Sequence, residues 1–133
     1  MLRLIKTQVP RVPAEQVQAG LRAFYRIVEK WRLSNEEAMV LLGQPTRATY
    51  FNWKRGDVSK ATRSLDLASR LSYVIGIFKS LEIIYQEPEL ADRWVAAPNL
   101  AFGGQSALDR MMGGQMTDLA AVRDYLDSVR GGW

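Results

Sequence analysis

The run from Arg63 to Tyr85 holds more apolar residues than one face of a helix uses. Leu65, Ala68, Leu71, Val74, Ile75, Phe78, Leu81, Ile84 and Tyr85 form its stripe, while Leu67, Ile77 and Ile83 fall elsewhere around the barrel. A helix apolar on more than one side is buried on more than one side. One side is expected to face the second half of the chain and another a second subunit. Leu71, Val74, Ile75 and Phe78 are the candidate homodimer interface.

The rest of the chain supplies helices to cover this one. Val17, Leu21, Phe24, Tyr25, Val28 and Trp31 mark an amphipathic helix from Ala14. Ser34 and Glu37 make a capping box that opens a short helix, Asn35 to Leu42, which buries Ala38, Leu41 and Leu42. Gly43 stops it, Gln44-Pro45 turns the chain, and Thr46 caps a second short helix that runs to about Arg55. Past Pro88 the pattern predicts a helix over Glu89–Val95, a loop over Pro98–Gly104 and a helical turn over Leu108–Met112. Thr117 is the expected cap of a last helix reaching Val129, with Leu119, Val122, Leu126 and Val129 inward. No stretch alternates polar and apolar residues as a half-buried strand would. The fold class is all-α. Residues 1–13 read as a flexible basic arm, 14–62 as a helix-turn-helix domain, and 63–133 as a dimerisation and partner-binding domain.

The chain has no histidine and no cysteine. A Ser/His/Asp triad and a histidine base are therefore excluded, and a zinc site of the usual type is not expected. With no P-loop glycine motif either, the chain is expected not to be an enzyme and to need no cofactor, metal or small-molecule substrate. No apolar run approaches the roughly 20 residues that cross a bilayer, and residues 1–10 show no signal-peptide pattern. A cytoplasmic protein without a membrane partner is the expectation.

Charge divides the chain. Residues 1–63 hold 12 Lys and Arg against 5 Asp and Glu, while residues 64–133 hold 6 against 9. A basic half suggests a polyanion partner, and the acidic half a different one. Residues 34–56 match the first partner: short helix, glycine turn, short helix. Tyr50 and Trp53 share one face of the second helix, leaving Arg47, Ala48, Phe51 and Asn52 to enter a major groove. There Arg47 suits guanine and Asn52 adenine. Thr46, Lys54, Arg55 and Lys60 sit where phosphates are held. Glu36 and Glu37 oppose this reading unless they face away from the DNA.

The segment Glu36-Glu37-Ala38-Met39-Val40-Leu41-Leu42-Gly43, followed by Thr49-Tyr50-Phe51-Asn52-Trp53-Lys54-Arg55-Gly56, resembles the Xre-type helix-turn-helix. Further on, Asn99-x-Ala-Phe-Gly-Gly-x-Ser-x-Leu-Asp109 and Val122-Arg123-x-Tyr-Leu-x-x-x-Arg130 resemble the toxin-binding domain of the Xre/MbcA/ParS antitoxins. Ala107 stands where that family commonly has proline, and Arg110 where it often has leucine. The resemblance implies the antitoxin of a type II toxin–antitoxin pair. Its toxin would carry a RES domain and consume NAD⁺. The antitoxin would cover the entrance to the toxin's active site with its C-terminal domain and repress the shared operon by binding operator DNA. On that reading Asn99, Phe102, Gly103, Gly104, Arg123, Asp127, Arg130, Gly131, Gly132 and Trp133 are the toxin-binding candidates. Trp133 is the expected aromatic anchor, and Arg123 and Arg130 the forks for toxin carboxylates. Arg123 has a plainer use, pairing with Asp109 or Asp118 inside the domain. The alternative function is a stand-alone dimeric transcriptional regulator without a toxin partner.

Overall fold

A long central helix, α4 (Leu65–Ile84), organises the computed structural model, which describes residues 11–131. Before it come α1 (Ala14–Trp31), α2 (Asn35–Leu41) and α3 (Arg47–Lys54). After it come α5 (Pro88–Trp94), a single 3₁₀ turn (Leu100–Phe102), α6 (Ala107–Met111) and α7 (Met116–Val129). The described residues form no strand, only one isolated bridge between Pro98 and Ser106. The fold is all-α. No described helix is long and apolar enough to cross a membrane.

The two main sides of α4 are covered by α1 and α7, with α5 across its end. Its buried face is Leu67, Arg70, Leu71, Val74, Ile77, Ser80 and Leu81. This corrects the expected stripe. Leu67 and Ile77, expected outside the stripe, are core residues, while Leu65, expected within it, is 51% exposed. The periodicity could not choose among three overlapping apolar stripes; the positions of α1 and α7 make the choice. The glycines help set those positions. A Cβ on Gly20 would lie 3.1 Å from Leu71 Cδ1, so the glycine lets α1 approach α4 closely.

The helix ends follow local chemistry. Ser34 accepts from Glu37 N at 3.1 Å while Glu37 Oε1 accepts from Ser34 N at 2.8 Å, the capping box expected there. Ser106 and Asp109 make a second such box at α6. Pro88 opens α5 instead of merely ending what precedes it, because its missing N–H is not needed at a first helical position. At α7 the cap is Gln115, not Thr117: Asp118 Oδ2 accepts from Gln115 N at 3.0 Å. That bond, and then Arg110 beside it, hold the Asp118 carboxyl below the usual carboxylate range. Val129 is 50% exposed and does not continue the inward face of Leu119, Val122 and Leu126.

Candidate nucleic-acid and partner interfaces

Helices α2 and α3 meet through a turn in which Gly43 and Gln44 both have positive φ. Tyr50 and Trp53 point into the core as expected. The opposite side of α3 presents Arg47 and Ala48 to solvent, with Arg55 and Lys60 exposed beyond it. Thr46 is the cap, accepting from Thr49 N at 3.1 Å. Arg47 reaches Glu36 at 3.4 Å and lies 5.3 Å from the centre of the Phe51 ring. The Glu36 charge is thus countered from α3. Three other candidates have partners within the chain. Phe51 is half-buried, Lys54 Nζ donates back to Asn35 Oδ1 at 2.9 Å, and Asn52 accepts from Arg55.

The loop between α5 and α6 is built around Asn99. Its N–H donates to Gln105 O at 2.8 Å, its carbonyl accepts from Gly104 N at 3.0 Å, and its side chain accepts from Ala101 N at 2.9 Å. Gly103 and Gly104 have φ of 69° and 88°, a region other residues enter only with strain. Nothing lies within 4 Å of a Cβ built on either, so the need for glycine here is conformational and not a matter of space. Phe102 turns inward to Trp94 and Tyr125. Trp94 stacks on Tyr125 with centroids 6.1 Å apart, and Phe102 meets Tyr125 edge-on at 5.4 Å. All three rings are half-buried.

The two arginine candidates lie elsewhere. Arg123 Nε pairs with Asp127 at 3.1 Å, and with neither Asp109 nor Asp118. Asp109 is engaged with Ser106, and Asp118 with Gln115 and Arg110. Arg130 Nη1 donates to Ser80 Oγ at 3.2 Å. Both arginines line a groove of about 470 Å³ with Gly20 of α1 and Ser72, Gly76 and Lys79 of α4. The Arg123 guanidinium lies against Gly76 where any side chain would displace it. Two residues along a helix turn the side chain by roughly 200°, so Arg123 and Tyr125 diverge, whereas Arg123 and Arg130 return to one side. The toxin-binding candidates therefore fall on two surfaces: Asn99, Phe102, Gly103 and Gly104 beside Tyr125, and Arg123, Asp127 and Arg130 beside α4. Gly131 is exposed. Gly132 and Trp133 lie outside the described residues.

The dimer candidates also divide. Leu71 and Val74 are buried within the chain under α1 and α7, so they are core and cannot meet a second subunit. Ile75 and Phe78 are half-buried, Ile75 in the groove and Phe78 with its ring 6.4 Å from that of Trp31. Sequence reasoning missed Leu100, which is 94% exposed, and it gave Tyr125 no role. One signal was available: from Val95 to Leu108 the chain carries no charge. Among the described residues no three His, Cys, Asp or Glu come together as a metal site.

The comparisons bear on the second half of the chain. The family described as the antitoxin Xre/MbcA/ParS C-terminal toxin-binding domain matches residues 80–132. That span takes in α5, the Asn99 loop, α6 and α7. The uncharacterized protein y4oB of Sinorhizobium fredii (strain NBRC 101917 / NGR234) is 41% identical over 132 residues, covering 99% of this chain and 100% of its own length. No solved structure matches. Residues 80–132 thus carry the antitoxin Xre/MbcA/ParS C-terminal toxin-binding domain, and over nearly its whole length the chain belongs to one family with y4oB.

Proposed function

We propose that this antitoxin neutralises a RES-domain, NAD⁺-consuming toxin by covering its active-site entrance, and that it represses its own operon through α2 and α3. The observation that carries the reading is the toxin-binding span at 80–132 joined to a helix pair, in the basic half of the chain, that exposes Arg47 and Ala48 on α3 and Arg55 just past it. The protein acts by occlusion in the cytoplasm and is not itself an enzyme. Phe102 and Tyr125 form the firm base of the covering surface, and Asn99, Gly103 and Gly104 hold its loop in shape. Arg123, Asp127 and Arg130 with Gly131, Gly132 and Trp133 make a second contact.

The test is NAD⁺ consumption by the RES-domain protein encoded beside this chain, with and without the antitoxin. Full suppression at equimolar antitoxin is expected, and undiminished consumption would end the reading. A form ending at Val129 separates the two contacts. It should inhibit more weakly than the full chain if Arg130–Trp133 touch the toxin, and equally well if the loop suffices.

DNA binding needs two-fold symmetry to read paired half-sites. The outward side of α4 supports a homodimer there, since the half-buried Ile75 lines one groove with the exposed Ile83. Binding to the protein's own promoter fragment should weaken steeply with salt. Arg47→Ala should lower affinity on the operator more than on random DNA, by about 1–3 kcal/mol of discrimination. Lys60→Ala should weaken both equally. Ile83→Glu should give a monomer by light scattering, with weaker operator binding. A stand-alone regulator would pass the promoter test and fail the toxin test.

A further inference from the structure

A lone exposed leucine is ordinary on a protein surface. Leu100 is set apart by its surroundings. It sits at the tip of a turn with little freedom: the Asn99 bonds close the loop, Gly103 N donates to Leu100 O at 3.1 Å, and Pro98 bridges to Ser106. The foot of the loop is tied to the helices by Leu108 N donating to Val95 O at 2.9 Å. Phe102, two residues on, turns inward and locks the turn onto Trp94 and Tyr125, while Leu100 points away with 94% of its surface in water. The fourteen residues from Val95 to Leu108 carry no charge, in a chain where 24% of residues are charged. All of this falls within the toxin-binding span 80–132.

An apolar side chain held in its binding posture by a preformed loop loses little conformational entropy on docking, which is the condition for an anchor residue. We propose that Leu100 is the principal anchor on the toxin, seated in an apolar, uncharged socket at the margin of its active-site entrance. This rests on the toxin-binding reading above and gives it a chemistry. The loop does not imitate the phosphates of NAD⁺, because it has no charge to do so. It holds by burial. The part of the affinity that Leu100 supplies should then follow the size and polarity of residue 100 and respond little to ionic strength, since screening acts on exposed charge pairs and not on apolar burial.

The experiment is calorimetric titration of the full-length chain and its variants into the RES-domain protein encoded beside it. Leu100→Met is expected to bind within about threefold of the parent, since the swap conserves volume and polarity. Leu100→Asp should weaken binding at least about thirty-fold, the loss that marks an anchor residue. Its melting temperature and promoter binding should match the parent, because the side chain touches little of its own protein. Raising salt from about 0.1 to 0.5 M should change the affinity ratio of the parent to Leu100→Ala less than about threefold, because the charged contact of Arg123 and Arg130 is common to both. Leu100→Asp binding like the parent would overturn the anchor while leaving the antitoxin reading intact. A steep salt dependence of that ratio would overturn the uncharged socket. A parent chain that does not bind the RES-domain protein at all would remove both readings together.

Discussion

Tyr50→Ala is expected to remove about 4 kcal/mol of stability, the cost of emptying a large aromatic site in a close-packed core. Tyr50 is fully buried and joins three elements. Its ring meets Tyr25 of α1 at 5.4 Å and Phe51 at 5.0 Å. Its hydroxyl donates to Asn35 Oδ1 of α2 at 3.0 Å, and its carbonyl accepts from Tyr25 OH at 2.8 Å. A small domain has roughly 5–15 kcal/mol in total, so the substitution should leave α1, α2 and α3 marginal, with DNA binding lost. Tyr50→Phe removes only the hydroxyl and should cost about 1 kcal/mol. Urea unfolding followed by circular dichroism measures both. A loss below about 2 kcal/mol for Tyr50→Ala would mean that the α1–α3 contact closes over the gap.

The same pair sets an alkaline limit. Burial, and then the neighbouring Tyr50, push the Tyr25 phenol well above its ordinary 10.0. Burial, and then the Glu36 charge, also raise Tyr50. The folded state thus holds both phenolic protons more tightly than the unfolded chain does. The stability linked to them is whole below about pH 10, where neither state ionises. It is lost as pH rises through the folded values. Urea midpoints should be level from pH 7 to about 9 and fall above about 10, with Tyr25→Phe flattening the fall.

Arg70→Ala is expected to cost about 3 kcal/mol, from the lost bond to a part-buried carbonyl and the cavity left by the side chain. Arg70 is 9% exposed. Its Nε pairs with Asp66 at 3.0 Å and its Nη2 donates to Gly114 O at 3.0 Å. Its side chain also crosses Gly43, where a Cβ would lie 2.9 Å from Nε. One side chain therefore ties α4 to the α2–α3 turn and to the turn before α7. At about 4 °C per kcal/mol for a chain of this size, the melting temperature should drop by about 12 °C. Arg70→Lys keeps the stem and the charge but not the planar fork, and should recover about half. A shift under about 3 °C for Arg70→Ala would show that water takes over the bond to Gly114. Gly43→Ala tests the same joint from its other side.

Much of the fold was legible in local patterns. The helices around Phe24, Tyr50 and Leu126 carry their apolar residues on one side, and Ser34, Gly43 and Thr46 mark ends by chemistry that acts within four residues. The Asn99 and Val122 segments were legible as words of a family. By itself the sequence determined an all-helical chain, its caps at Ser34 and Thr46, and the family of its C-terminal half, because propensity, capping and periodicity are decided between near neighbours.

Three matters were decided only by tertiary structure. Which side of α4 is core depends on where α1 and α7 lie, so Leu67 and Ile77 went inward, and Leu71 and Val74 left the dimer face for the core. The toxin-binding candidates parted because Arg123 lies over Gly76, a residue of another helix that no spacing along α7 reveals. Leu100 and Phe102 look alike in sequence, yet one is turned out and the other joins Trp94 and Tyr125. In each case the deciding contact joins residues distant in the chain, and the side of a helix or turn that is covered is a property of its neighbours in space.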